Sequence, residues 1–464
     1  MAKQVKPTKQ VHNKPKVKNI PKQNIKNLYT IIEDWLEKRS FKVFLTIGFL
    51  CLIFSVLLFN ARIDEGGDDS SYIQAGYNWA SDFFHYYYSF QAPLYPLILS
   101  IPIKLFGLNL ILLKSLSLIF NLLNLFFLYK ALKGRIPYLI MFTMLIIISM
   151  SSYFLYFASQ TYNEAFFLFV QALFFYGFFK LLDTIDNKGN AIKETWKLWL
   201  LTGFLSFLML ITKNIAIGVI GVVIVYFIIK KQYYNSIISI ISIGIFALIF
   251  QVARNLIWGG ALQYTSQGKT LLLKDPYDTT KGYEDLWGYF SRLINNADLF
   301  LSKRFMQIIG FKNESSIETS TGLTIFIVIL MLWSLYRIFK NKNKYMLFIS
   351  LYSILIPGLI FTSIQTRWDQ PRLILILVPF LLLSILYGLY DIFKKGNSII
   401  QSIFIYLIIF ILIPPIYSTF SKIPENIKIL KYNLKGNIYY GYTPDWENFL
   451  RMSEWCGKNL PKGS

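Results

Sequence analysis

The sequence predicts an all-α polytopic membrane protein with about 11 transmembrane helices, and three observations carry that prediction. Of 464 residues, 55% are hydrophobic and only 16% charged, whereas soluble domains run at roughly 45–50% apolar and ~25% charged. The apolar residues fall in uncharged runs of roughly 17–24, long enough to cross ~30 Å of hydrocarbon as helices. The Lys and Arg behind the net charge of +22 cluster on alternate connections, as the positive-inside rule requires. One soluble core cannot hide this much apolar surface, so a soluble enzyme is excluded. The basic excess points to a membrane surface rather than to nucleic acid.

Residues 1–42 carry eleven Lys/Arg against Glu33, Asp34 and Glu37. They lack the apolar core and small-residue cleavage site of a signal peptide. They read instead as a cytoplasmic polybasic arm held at an anionic membrane face. A transmembrane domain over 43–417 follows, with spans expected near 43–61, 108–131, 137–157, 164–183, 197–212, 214–230, 235–253, 319–339, 345–363, 372–391 and 398–417. The run 92–106 is about 15 residues long, contains Pro93, Pro96 and Pro102, and carries Lys104. It reads as a re-entrant or interfacial helix in the first outer loop.

Leaving 92–106 uncrossed puts Lys130/Lys133/Arg135, Lys180/Lys188/Lys193/Lys197, Lys230/Lys231, Arg337/Lys340/Lys342/Lys344 and Lys394/Lys395 inside. The short outer connections then hold only Arg62, Lys213, Arg367 and Arg372. The expected location is therefore a multi-pass protein of the plasma or inner membrane, N-terminus inside and C-terminus outside. Its outer-face pieces are the loops 62–91 and 254–318 and the tail 418–464. The short break at Thr212–Asn214 suggests a tight hairpin. Cys51 and Cys456 cannot form a disulfide framework. With His12 and His85 the sole histidines, a His-rich metal site or a Ser–His–Asp apparatus is excluded by inventory.

Charges are costly inside a bilayer and mark function by default. The first outer loop runs Asp64-Glu65-Gly66-Gly67-Asp68-Asp69-Ser70-Ser71-Tyr72, where a glycine turn precedes good N-cap residues and a helix-spaced apolar set. Glu164 opens an otherwise uncharged helix; Lys213 separates two apolar runs; Arg254 ends a span and Arg372 starts one. Singly, each has a plain role as cap, dipole partner or surface anchor. Together, Asp68, Asp69, Glu164, Lys213, Arg254 and Arg372 fall at one membrane face from distant parts of the chain. Acids and cations around one cavity suit an anionic lipid headgroup and a polar acceptor.

The motifs Asp68-Asp69-Ser70-Ser71-Tyr72, Pro93-Leu94-Tyr95-Pro96 and Leu105-Phe106-Gly107 occur in that order. With Thr161-Tyr162-x-Glu164, Thr212-Lys213, Arg254-Asn255 and Arg372 running into Val378-Pro379-Phe380, they resemble the GT-C integral membrane glycosyltransferases. The similarity is to the protein O-mannosyltransferase and lipid A aminoarabinose transferase type, and it covers roughly residues 40–420. The resemblance implies transfer of a single sugar from a polyprenyl-phosphate carrier to a lipid, glycan or protein acceptor at the outer, periplasmic face, with inversion. It implies a catalytic Asp68, with Asp69, Tyr72 and Glu164 supporting acceptor or sugar, and Lys213, Arg254 and Arg372 on the carrier phosphate. No cofactor is required, although Asp68 and Asp69 together offer oxygen ligands for Mg²⁺ or Mn²⁺.

Two departures from the family stand out. Gln91-Ala92 replace a His or second Pro found in many relatives, and the tail 418–464 looks like the start of a missing or vestigial soluble domain. Tyr439, Tyr440, Tyr442, Trp446 and Phe449 in that tail are expected to pack over the outer cavity near 254–318. Two other readings use the same features. A lipid-linked-glycan flippase would need polar residues at the bilayer midplane, and a glycan polymerase or ligase would use a longer lipid-linked donor.

Overall fold

The computed structural model of the chain describes residues 28–62, 67–88, 92–188, 192–259, 271–313, 315–316, 318–366 and 368–461. The first 27 residues of the basic arm, Asp64, Glu65, Gly66 of the glycine turn, Gln91, Arg367 and the 260–270 part of the 254–318 loop lie outside them. In order, the helices are α1 (Leu28–Lys38), α2 (Ser40–Leu57), α3 (Asp68–Ser81), α4 (Leu94–Phe106), α5 (Leu110–Leu132) and α6 (Tyr138–Met150). Then come α7 (Ser152–Phe157), α8 (Glu164–Lys188), α9 (Ile192–Thr212), α10 (Ile217–Ile229), α11 (Tyr233–Trp258) and α12 (Leu286–Ala297). The last five are α13 (Thr321–Asn341), α14 (Lys344–Ser363), α15 (Val378–Lys394), α16 (Ser398–Leu434) and α17 (Pro444–Asn459). Among the described residues the one β contact is an isolated bridge between Leu273 and Tyr283.

Eight helices among the described residues are long and apolar enough to cross a membrane: α2, α5, α8, α9, α11, α13, α14 and α16. Three of the eleven expected spans are interrupted. The stretch 137–157 is cut at Ser151, whose extended backbone (ψ 126°) separates α6 from α7 while its hydroxyl donates to the Ile308 carbonyl at 2.7 Å. The stretch 214–230 opens with a 3₁₀ turn, Asn214–Ala216, before α10. The stretch 372–391 begins as the short turn Arg372–Leu375 and restarts at Val378 with Pro379 in its first turn; a proline there lacks the N–H that would continue the earlier turn.

Most of the segment 92–106, expected not to cross, forms α4, 13 residues and so only ~20 Å long. It packs against α3 at Gly76, where an added Cβ would sit 3.1 Å from the Pro96 carbonyl and from Leu99. One extended residue, Lys213, and the 3₁₀ turn Asn214–Ala216 join α9 to α10. The two helices do not form a simple hairpin, however: α9 packs chiefly on α8 and α11, and α10 on α14 and α11.

The expected boundary at 417/418 falls inside one helix. α16 runs 37 residues through Pro414, Pro415 and Pro424, ~55 Å at 1.5 Å per residue, well beyond ~30 Å of hydrocarbon. Gly310 makes the passage possible. Its φ is +83°, and an added Cβ would meet the Pro414 backbone at 2.6 Å.

The core is aromatic, with Phe175 stacked on Phe380 at 4.1 Å and Phe178 against Phe348 at 4.4 Å. At one end of the bundle, ion pairs join the basic loops: Arg135–Asp183 at 2.6 Å, Lys344–Asp186 and Arg337–Asp391 each at 2.5 Å. Glu33 of α1 accepts from the N–H groups of Tyr138 and Leu139 at 2.5 and 2.9 Å, satisfying donors that a helix start leaves open. The helix breaks lie toward the opposite end, where they border two cavities.

Candidate active site

One of these cavities, about 200 Å³, gathers residues from across the chain. Asp68 and Tyr72 come from the first two turns of α3, Glu164 from the start of α8, Lys213 from the α9–α10 junction and Arg372 from the turn before α15. Each stands where a helix begins or stops, so backbone interruption and charge coincide. The loop before α8 is pinned by α5. Fully buried Lys114 donates to the Arg62 carbonyl at 2.6 Å and to Gln160 Oε1 at 3.3 Å, and Ser117 donates to the Gln160 carbonyl at 2.5 Å.

The cations are already paired. Arg372 Nη2 lies 2.6 Å from Asp68 Oδ2, its Nε donates to Gln370 at 2.7 Å, and its guanidinium sits 5.0 Å from the Tyr162 ring centroid. Lys213 Nζ donates to Glu164 Oε1 at 2.7 Å and to Asn163 Oδ1 at 3.3 Å. The Asn163 amide in turn donates to the Tyr72 hydroxyl at 2.9 Å and the Thr212 carbonyl at 3.1 Å. Glu164 is 1% exposed, and its Oε2 has no hydrogen-bond partner among the described residues. Burial, then the charges of Glu164 and Asp68, push the Tyr72 hydroxyl well above the usual tyrosine range, so it remains protonated and able to donate.

Five of the seven residues singled out in the sequence thus share one cavity; Asp69 and Arg254 do not line it among the described residues. Asp69 is buried and lies near Tyr162: its Oδ1 and the Tyr162 hydroxyl both border the space that a Cβ on Gly67 would occupy. Arg254 lies at the end of α11, donating to the Tyr87 hydroxyl at 3.2 Å with its guanidinium over that ring. Asp369, a rival partner for Arg372 by its position three residues away, is held instead by Lys303 at 2.7 Å and by Arg304.

Asn163, Thr212, Leu271 and Trp368 also line the wall; Thr212 stood in the Thr212-Lys213 motif, and nothing in the chemistry of the other three singled them out. Gln365 and Arg292 hold the Leu271 segment by donating to the Leu273 carbonyl at 2.7 and 2.6 Å.

A divalent metal fits this arrangement poorly. Asp68 faces a guanidinium and Asp69 turns away from the cavity, and among the described residues no three His, Cys, Asp or Glu side chains gather. What the cavity offers is two carboxylates, Asp68 and Glu164, each paired with a cation that an anion can claim.

No family model matches the chain, and no curated protein matches its sequence. Among solved structures, its fold is similar to that of the Archaeoglobus fulgidus oligosaccharyltransferase in the apo form, with a TM-score of 0.53 at 12% identity. The similarity covers 90% of this chain and 60% of that one, so the chain spans less than two thirds of its neighbour's length. At this identity the likeness is one of fold alone, and it agrees with the all-helical architecture expected from the sequence.

Proposed function

We propose that this protein is a glycosyltransferase that moves a single sugar from a polyprenyl-phosphate carrier to an acceptor hydroxyl at the outer membrane face. The observation that carries this reading is the paired arrangement of Asp68 with Arg372 and of Glu164 with Lys213 on one cavity wall. A carrier phosphate competes with both carboxylates for their cations. As it takes Arg372, it releases Asp68, which then accepts the acceptor proton while the acceptor oxygen attacks the anomeric carbon. The bond from that carbon to the phosphate oxygen breaks, its electron pair stays on the phosphate, and Lys213 and Arg372 stabilise the developing charge. Attack opposite the leaving group inverts the anomeric centre. The second oxygen of Glu164 and the Tyr72 hydroxyl suit sugar or acceptor hydroxyls, and the pairing gives a binding order, donor before acceptor.

The fold likeness to an oligosaccharyltransferase favours one second reading, transfer of a longer lipid-linked glycan. Purified protein offered polyprenyl-phosphate donors bearing one sugar or several separates the two, because the proposed enzyme uses the short donor. In the same assay Asp68→Asn keeps size and capping ability but removes the base, so the transfer rate falls at least ~10²-fold. A near wild-type rate for Asp68→Asn would overturn the mechanism.

A further inference from the structure

A second cavity, about 530 Å³, opens across the Pro371–Arg372 segment: Pro371 lines it, while Arg372 lines the first. One wall is the extension of α16, which presents Lys422, Glu425, Asn426 and Ile429. Their spacing of three, four and seven residues is one helix face. Across from it stand Arg62, just beyond α2, and Arg304. Arg304 belongs to a π-helical stretch, Asp298–Phe305, that follows α12, a distortion found mostly at functional sites.

Three cations from three separate elements therefore share this wall with one carboxylate, Glu425. Each arginine is fixed by the protein without exhausting its five N–H donors. Arg62 gives Nη1 to the Gly441 carbonyl at 2.6 Å and Nε to Asn60 at 3.3 Å. Arg304 binds Asp369 through Nε, gives Nη1 to Gln307 at 2.8 Å and Nη2 to the Asp369 carbonyl at 2.8 Å, which leaves one N–H on each Nη. Lys422 lies over the Tyr153 ring, 5.4 Å from its centroid. Leu58, Tyr156, Phe157 and Ile429 give the lining an apolar and aromatic stretch, beside the polar Asn60, Ser152 and Asn426.

We infer that this cavity is a binding site for a phosphate-bearing molecule, its phosphate held by Arg62, Arg304 and Lys422 and its body lying along the apolar wall. A tetrahedral phosphate has an oxygen for each of three cations, where a carboxylate has two, and such charge-assisted contacts are the strong ones. The phosphate has two chemical sources, a membrane lipid headgroup or a soluble phosphate ester. Neither depends on sugar transfer.

The test uses the full chain in nanodiscs of phosphatidylcholine alone, titrated with dihexanoyl phosphatidic acid and, separately, with inorganic phosphate. Phosphatidic acid binding at least ten times tighter than phosphate identifies a lipid source; equal affinities identify a soluble one. In either case Arg62→Gln with Lys422→Met weakens binding at least tenfold, and Lys340→Gln, on α13, leaves it unchanged. Should the double variant fail to fold, the bound probe in the wild type still slows modification of Lys422 by an amine reagent. The inference is overturned if neither probe binds, if the folded double variant binds as well as wild type, or if Lys422 reacts equally fast with and without probe. Sugar transfer enters none of these readouts, so the two proposals fail independently.

Discussion

Lys213 pairs with Glu164 and, in the proposed function, also holds the donor phosphate, and this decides how it must be tested. Removing it strands Glu164, 1% exposed, as a buried charge without its cation, a loss that costs up to roughly 3–5 kcal/mol. Lys213→Met should therefore melt well below wild type and bind donor poorly for a trivial reason. Lys213→Met with Glu164→Gln removes both charges, so melting should recover while the donor KM stays raised at least tenfold; a normal KM in the double variant removes Lys213 from the donor site. Asp369 gives a pH test. Burial pushes its carboxyl up, but Arg304 and Lys303 outweigh this and hold it below the usual carboxylate range. A depressed folded value means the ion pairs stabilise above the unfolded pKa of about 3.9, and that their contribution is lost as pH falls through the folded value. Asp369→Asn should thus lower the melting temperature at pH 7 and progressively less below about pH 4; an equal loss at both would refute the ion-pair account. Asp68, Glu164, Lys213 and Arg372 were legible in the sequence because charge within apolar sequence is expensive. Asn163, a neutral amide, carried no such signal although it links Tyr72 to Lys213. Arg254 carried it and sits elsewhere, since the pattern reports depth along a helix but not direction around it.

Helices were legible wherever apolar length alone defined them, as in α2, α5 and α11. Their ends were not. Prolines disfavour a helix interior, yet α16 continues through Pro414, Pro415 and Pro424 because its C-terminal half packs: Thr419 donates to the Met150 carbonyl and Asn426 to the Leu57 carbonyl at 3.0 Å. Hydropathy marks where a helix leaves the hydrocarbon, and tertiary contacts mark where it stops. The tail behaves likewise. Tyr439 is buried, Tyr440 stacks on Tyr432 at 4.2 Å and Tyr442 lies under Arg62, whereas Trp446 and Phe449 stay exposed. Its α16 face shares a cavity with Arg62, Tyr156 and, from the 254–318 loop, Arg304. Gly310 tests the element that holds this together. Gly310→Ala places a side chain in a left-handed backbone and against Pro414, so it should destabilise by roughly 1–3 kcal/mol. Thermal melting in detergent checks this, and an unchanged midpoint would show that the crossing relaxes freely.

At the scale of the whole molecule, the loops rich in Lys and Arg meet at one end of the bundle, and the helix breaks border cavities toward the other. The proposed orientation, basic end inside, is open to direct test in a Cys456→Ser background. A cysteine at Trp446 should react with an impermeant reagent in intact cells, and one at Lys342 should not; the reverse pattern would invert the topology. The paired cations of the first cavity also have a consequence for the company this protein keeps. A membrane is crowded with phospholipids of single negative charge, each a decoy for an open arginine. With Arg372 and Lys213 already satisfied, a decoy gains little by entering, because it must displace carboxylates as good as its own phosphate. Only a headgroup able to engage both cations at once, and to fill the room beside them, repays the exchange. Rejection of abundant lipids is thereby built into the resting state, as selectivity by disfavouring the wrong partner.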